Sequence, residues 1–190
     1  MMSKTRARQT ANQIRIIGGQ WRGRKLSFPD AEGLRPTADR VRETLFNWLT
    51  GRIAGARCLD MFAGSGALGF EALSRGASHC CFVDQNAAVL KQIQANSQLL
   101  NATAKSDFLL ADASKTIDVS GSFDIVFLDP PFTGPALEAC LDWLITSPLL
   151  KPDSLIYVET SKNAPWQNDA LDIIKDKQAG DVSFRLTQLR

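Results

Sequence analysis

Histidine is almost missing from this chain: His79 is the only one in 190 residues. A single histidine cannot assemble a Ser-His-Asp triad or a typical His-rich zinc site, so hydrolase and metalloenzyme readings lose their usual parts. The four cysteines, Cys58, Cys80, Cys81 and Cys140, have neither zinc nor redox spacing and sit in apolar contexts. They read as reduced, buried thiols of a cytoplasmic protein. No run of about 18 apolar residues exists, which excludes a membrane-spanning helix on this reading. The opening "MMSKTRARQTANQIR" is basic but lacks the apolar core of a signal peptide. Its Arg-rich, acid-poor character would also suit an organelle transit segment, but it runs directly into structured-looking sequence. No internal repeat or low-complexity segment is present.

What is there is an ordinary globular composition, 44% hydrophobic, enough to exclude disorder and to build one domain. The net charge of +2 conceals an asymmetry. Residues 1–52 hold eleven lysines and arginines against four acids, a net +7, and the remainder carries −5. A basic arm on an acidic body points to a polyanionic partner on one side.

Residues 1–12 read as a flexible basic tail. Residues 13–35 form a basic hairpin extension and connector, with "IRIIGG" and "RGRKLSF" as its arms and Trp21 near the tip. Residues 36–190 make the main domain. It opens on a helix, "TADRVRETLFNWLTG", with Thr37 as N-cap, apolar residues at i, i+4, i+7 and i+8, and Gly51 as stop. From Arg57 apolar strands alternate with helices: "RCLDMF", "HCCFVD", "SDFLLA", "FDIVFLD" and "SLIYVET" are strands, and Asn86 caps one of the intervening helices. Only "DASKTI" reads as a short turn or helix. This pattern predicts an α/β fold with a mostly parallel sheet covered on both faces. "LDIIKDKQAGDVSFRLTQL" reads instead as a hairpin turning at Gly180-Asp181, so the sheet ends with an antiparallel strand.

The stretch "LDMFAGSGALGFEALSRGA" contains Gly64-x-Gly66-x-x-Gly69 between the first parallel strand and its helix. Such a loop lets backbone approach a nucleotide-like ligand at a helix N-terminus. The surrounding acids choose the ligand. Asp84 closes the next strand, where a carboxylate can accept from two ribose hydroxyls. Asp60, four residues before Gly64, would repel a pyrophosphate but suits a ligand ammonium, which favours S-adenosylmethionine over NAD. Asp112, after the third strand, is placed for an adenine amino group. Each acid alone could merely cap the following turn; three on one sheet edge mark a site. A second motif, "DPPF" at Asp129, Pro130, Pro131 and Phe132, follows the fourth strand. The prolines remove two donors, leaving acceptors suited to an amino group, and Phe132 offers a face for a base.

"DMFAGSGALGFEALSRGA", "FVDQN", "DPPF", "LRPTADRVRETLFNWL" and the opening "IRIIGGQWRGRKL" resemble the 16S ribosomal RNA guanine-N2 methyltransferases, the small-subunit rRNA methyltransferase D family, over roughly residues 14–190. "DPPF" alone is shared with DNA and protein amino-group methyltransferases; the opening hairpin with "RPTADRVRETLFN" is more specific. The resemblance implies a Rossmann-like class I methyltransferase fold: a mostly parallel seven-stranded sheet with an antiparallel C-terminal strand, plus a small N-terminal hairpin. It implies S-adenosylmethionine held by Thr37, by Asp60, Phe62, Ala63, Gly64, Ser65 and Gly66, and by Asp84, Asp112 and Ala113, with catalysis at Asp129–Phe132. Asp84 stands where relatives often carry the longer Glu, and the tail "FRLTQL" lacks an expected aromatic.

On this reading Asp129 and the Pro130 carbonyl hold the two hydrogens of guanine N2 and aim its lone pair at the methyl group, while Phe132 stacks on the outturned base. Asp129 either only orients the amino group or also takes its proton. Arg15, Arg22, Arg24, Lys25, Arg35, Arg40 and Arg42 would hold the RNA backbone. Trp21 is either an RNA contact or a hairpin core residue. The expected partner is 16S rRNA within a small-subunit particle, the expected state a monomer, and no metal or membrane is involved. The alternatives are an adenine-N6 methyltransferase of DNA or RNA, an NAD-dependent oxidoreductase, and a non-catalytic RNA-binding assembly factor.

Overall fold

The computed structural model describes residues 12–30, 37–132, 135–164 and 166–190. The chain opens with an antiparallel pair, β1 (Asn12–Arg15) and β2 (Lys25–Phe28), joined through a 3₁₀ turn at Gly19–Trp21. There follow α1 (Asp39–Trp48), β3 (Arg57–Asp60), α2 (Ala67–Ser74), β4 (His79–Asp84), α3 (Ala87–Leu99) and β5 (Ser106–Leu110). Then come β6 (Phe123–Leu128), α4 (Ala136–Leu144), β7 (Leu150–Ser161), β8 (Leu171–Ala179) and β9 (Val182–Leu189).

Seven strands form one sheet in the order β5-β4-β3-β6-β7-β9-β8. The first five are parallel neighbours, and β9 runs antiparallel to both β7 and β8. The reversed C-terminal strand is therefore not the outer edge. It slots between β7 and β8, and β8 is the exposed edge. Successive side chains along each strand alternate between the two faces of the sheet. Cys58, Phe82, Phe127 and Tyr157 pack towards the terminal hairpin, α1, α2 and α3. Leu59, Val83, Val126 and Val158 pack towards α4 and the segments around it. The central strands bury both faces, which is why they are apolar almost throughout.

Local signals act where expected at several points. Asn86 caps α3 by accepting from the Ala88 and Val89 amides at 2.9 and 3.4 Å. Gly180 turns β8 into β9 at φ +64. Thr37 does not cap α1; Ala38 occupies that position, and the Thr37 hydroxyl is used elsewhere. "DASKTI" is turn and coil, and β7 begins four residues before "SLIYVET".

The N-terminal hairpin is anchored by one buried acid. Glu71, in the middle of α2 and fully buried, accepts from the Ile17 and Gly18 amides at 2.8 Å each. It also binds Arg75 at 2.7 Å and lies 3.6 Å from Arg42. Ser74 closes the joint, accepting from the Trp21 amide and donating to the Gly18 carbonyl. The approach is so close that a Cβ on Gly19, at φ +74, would sit 1.9 Å from the Ser74 carbonyl oxygen. Ile14, Ile16, Leu26 and Phe28 of the hairpin join the same core as the sheet. Glu71→Ala would strand two backbone donors and two guanidinium groups, costing about 3–5 kcal/mol of stability. Urea unfolding checks this, and an unchanged midpoint would show that the anchor contributes nothing.

Candidate active site

Parity along the strands brings the site together. Asp60, Asp84 and Asp129 fall on the same sheet face as Cys58, Phe82 and Phe127, each at the carboxyl end of its strand. Asp60 is paired with Phe82 and with Phe127, two residues short of Asp84 and of Asp129. Asp84 and Asp129 thus stand in one rank, with Asp60 behind them. In front of Asp60, β3 stops and the glycine loop fills the space.

A cavity of about 760 Å³ opens over this row, a size suited to a nucleoside-like ligand. Its walls include Thr37, Asp60, Phe62, Ala63, Gly64, Ser65, Asp84, Asp112, Ala113 and the whole Asp129–Phe132 corner. Gly66, at φ +76, lies behind that wall as the N-cap of α2. The loop glycines divide their duties. A Cβ on Gly69 would lie 2.2 Å from the Phe82 ring, so the third glycine serves helix-on-sheet packing and not the ligand. The Gly69 amide donates to Asp60 Oδ2 at 3.0 Å and ties the strand end to the first turn of α2. The Gly64 amide donates to Asp84 Oδ2 at 2.9 Å, and the Asn86 amide donates to Oδ1 at 2.8 Å. Asp84 therefore shapes the loop, and each of its oxygens keeps a lone pair for a further donor. Asp112 sits on the rim, held by the Ser114 hydroxyl and amide. The Ser114 hydroxyl, ahead of its amide, keeps the Asp112 carboxyl below its usual range.

Asp60 is 2% exposed. Burial lifts its carboxyl to about 7, reinforced by Asp129 and Asp84 and opposed by the Gly69 hydrogen bond. No cation among the described residues offsets the charge of Asp60, and a buried acid of this kind is complementary to a ligand cation. Asp129 is held by the Thr37 hydroxyl, which donates to Oδ2 at 2.9 Å. Burial raises it to about 6, while hydrogen bonds from Thr37 and Glu159 pull the other way. Pro130 is buried, and Phe132 is 47% exposed at the mouth.

Glu159 is a site residue that motif reading does not single out. It lies on β7, one step beyond the Leu128–Val158 pair, and so stands beside Asp129 on the same face. It lines the cavity at 3% exposure. The signal is there in the residues, because "SLIYVET" is an apolar strand with an acid directly after its apolar run, as Asp84 follows "CCFV".

The basic residues do not all face outward. Arg15, Arg22, Arg24, Lys25 and Arg40 are exposed. Arg24 reaches the Leu99 carbonyl at 3.3 Å, and Arg15 pairs with Asp39 at 3.2 Å. Arg42 corrects the expectation made of it. It is 1% exposed and donates to the Arg15 carbonyl and to Asp39, at 2.9 and 2.6 Å. A side chain enclosed this way cannot hold an RNA backbone; it braces α1 against the hairpin. Trp21 is partly buried against the core, with its amide on Ser74. Arg35 lies outside the described residues.

Fold and site together define a class I methyltransferase. The chain matches the family model described as Conserved hypothetical protein 95 over residues 14–188, and it belongs to that family. It is 44% identical over 192 residues to the Haemophilus influenzae Ribosomal RNA small subunit methyltransferase D, covering 98% of this chain and 100% of that one. It is 46% identical to the Escherichia coli protein of the same name, covering 94% and 91%. A solved putative methyltransferase from Escherichia coli superposes with a TM-score of 0.84 at 46% identity, covering 94% of this chain and 98% of that one. A Thermus thermophilus 16S rRNA N2 methyltransferase, solved with AdoMet and guanosine, shares the fold at 20% identity and a TM-score of 0.70, covering 95% of this chain and 50% of its own. The chain is a methyltransferase.

Because the Asp60 carboxyl is raised, the folded protein binds protons that the unfolded chain releases between about pH 4 and 7. This group's contribution to stability therefore falls as pH rises through that window. Asp60→Asn should raise the melting temperature of the ligand-free protein at pH 8, by roughly 2–4 °C for each kcal/mol recovered. It should also weaken S-adenosylmethionine binding by about tenfold or more and flatten its pH dependence, which in the unsubstituted protein strengthens towards pH 8. Calorimetric titration across pH 6–8 reads both effects.

Proposed function

We propose that this methyltransferase transfers a methyl group from S-adenosylmethionine to the exocyclic N2 of a guanine in 16S rRNA. The observation that carries the reading is the Asp129–Phe132 corner, which opens into the same cavity as the glycine loop and its acids. The residues suit the donor. Asp60 offers a carboxylate for the methionine ammonium, Asp84 has lone pairs for ribose hydroxyls, and Asp112 with Ala113 lies on the rim for adenine. Thr37 and the loop from Phe62 to Gly66 flank the path between them. When bound, the donor supplies a methyl group carried on a sulfonium.

The chain's own residues supply the other half. An amino group attached to a purine ring is a poor nucleophile because its lone pair is delocalised. Asp129 and the Pro130 carbonyl present acceptors for its two hydrogens. Holding both turns the lone pair out of conjugation and stabilises the positive charge that grows on nitrogen. Phe132 gives the base a stacking face at the mouth. Arg22, Arg24 and Lys25 on the hairpin and Arg40 beside the cavity form the basic surface for the RNA backbone. Among the described residues no helix is long and apolar enough to cross a membrane. An RNA substrate of this kind supports action on a small-subunit particle in the cytoplasm.

Asp129→Ala should abolish methyl transfer, by at least about a hundredfold, and leave S-adenosylmethionine affinity near normal. Turnover close to that of the unsubstituted enzyme would refute the mechanism. Deleting the hairpin is a poor test, because its apolar residues belong to the core. The triple change Arg22→Ala, Arg24→Ala, Lys25→Ala should instead weaken RNA binding and lower the salt slope by roughly 0.7–0.9 for each phosphate no longer neutralised. Filter binding at several salt concentrations measures it, with donor affinity as the control for folding.

A further inference from the structure

We infer that Glu159 is the positioning residue for Asp129: a buried carboxylic acid that keeps its own proton, donates it in a hydrogen bond to Asp129, and thereby holds Asp129 ionised and aimed at the target amino group. The inference rests on the reading of Asp129 given above and adds to it a residue from a different strand.

The geometry starts with register. Leu128 and Val158 are partners in the parallel β6–β7 ladder, so the next residues, Asp129 and Glu159, come side by side where the ladder ends. Both point to the face of Phe127 and Tyr157. The floor beneath them is aromatic and dry. Phe127 meets Tyr157 edge-on at 6.3 Å, and Tyr157 lies 6.4 Å from Phe184, which is the β9 partner of Glu159. Two carboxyl groups placed together on such a floor cannot both be ionised.

The charges facing the pair are few. From β3 and β4 come two more acids, Asp60 and Asp84, and at the mouth stand the exposed Arg40 and Asp181. On β9 the neighbouring Arg185 belongs to the opposite face, over Trp166. No lysine or arginine among the described residues pairs with either member. One proton must therefore be retained, and burial decides where. Glu159 is the deeper of the two. Its desolvation, followed by the charge of Asp129, lifts it well above the usual carboxyl range. Asp129, raised by burial but less enclosed than Glu159, is the member left to carry the negative charge.

The Tyr157 hydrogen bond works against proton retention at Glu159 but is outweighed by burial and by the charge of Asp129. Tyr157 gives its phenol hydrogen to Glu159 Oε1 at 2.6 Å, which leaves Oε2 to carry the acid proton towards Asp129. Thr37 gives its hydroxyl hydrogen to Asp129 Oδ2. Asp129 is thus fixed from two sides, and its remaining lone pairs face the cavity. When the amino nitrogen gives up a proton, Asp129 takes it. The pair then goes from one proton and one negative charge to two protons and none. Removing a buried charge is favourable on that dry floor, so the pair is a better proton acceptor than an exposed aspartate.

The test compares two substitutions. Glu159→Met keeps shape and dryness but removes the donor, so the acid limb of the kcat–pH profile should move up from near pH 6 by about one unit. Turnover at pH 7 should drop by about tenfold or more, with S-adenosylmethionine affinity unchanged. Glu159→Gln keeps a donor and should return the limb to its original place and recover most of the rate. An unmoved limb in Glu159→Met, or the same shift in both variants, overturns the inference. If Glu159→Met does not fold, carboxyl carbon-13 NMR of the unsubstituted, ligand-free protein decides. Asp129 should titrate near pH 6 while Glu159 stays protonated through pH 7, with signals assigned by Asp129→Asn and Glu159→Gln. A Glu159 ionised at pH 7 overturns the role. Identifying the methylated nucleoside separates the two levels. A product other than N2-methylguanine overturns the reading of the substrate, whereas the NMR result bears on Glu159 alone.

Discussion

Carboxyl groups crowded onto one face of a buried sheet edge must each find a donor, keep a proton or meet a ligand cation, and this constraint organises the whole active site. Asp60, Asp84, Asp129 and Glu159 lie at or near the carboxyl ends of four adjacent strands, on the same face. Each has at least one fixed donor: the Gly69 amide for Asp60, the Gly64 and Asn86 amides for Asp84, the Thr37 hydroxyl for Asp129 and the Tyr157 phenol for Glu159. These donors fix the loop, the first turn of α2 and the segment before α1 around the cavity. They do not neutralise the charge. What remains is an anionic pocket that a cationic methyl donor completes and that a pyrophosphate would find repulsive. On the proposed reading these acids favour S-adenosylmethionine over a dinucleotide, although the glycine spacing alone fits either.

Helix α2 carries this order outward. Asp60 holds its first turn through Gly69, Glu71 in its middle holds the hairpin through two backbone amides, and Ser74 at its end closes the joint. One short, wholly buried helix therefore joins the donor loop to the basic arm. The arm is not a loosely tethered appendage; its position relative to the target-base pocket is set by packing. On the proposed reading, this packing fixes the distance between the basic surface and the Asp129–Phe132 corner, which is what positioning one base against one methyl group requires.

Much of this was legible in the residues. Alternating apolar strands and helices indicate the parallel sheet, Gly180-Asp181 the terminal hairpin, and Asn86 a helix start. These depend on local periodicity and turn chemistry, which act within a few residues. The misreadings have a common cause. Thr37 has the chemistry of a cap, but the carboxylate of Asp129, 92 residues away in sequence, claims its hydroxyl. Arg42 has the chemistry of a phosphate ligand, but Asp39, Glu71 and the Arg15 carbonyl enclose it. Glu159 looks like the mere end of an apolar strand until β7 is laid beside β6.

By itself the sequence determined the periodicities, the turns and the inventory of reactive groups, because these follow from each residue and its near neighbours. It also placed Asp60, Asp84 and Asp129 at strand ends, since strands end where apolar runs end. Only the tertiary structure decided which strands are neighbours and in which register. That settled which acids share a proton, which glycine meets the sheet instead of the ligand, and which arginine is spent on the interior. Pairing between distant segments has no local signature, so the partners of Asp129 emerged only when the sheet was assembled.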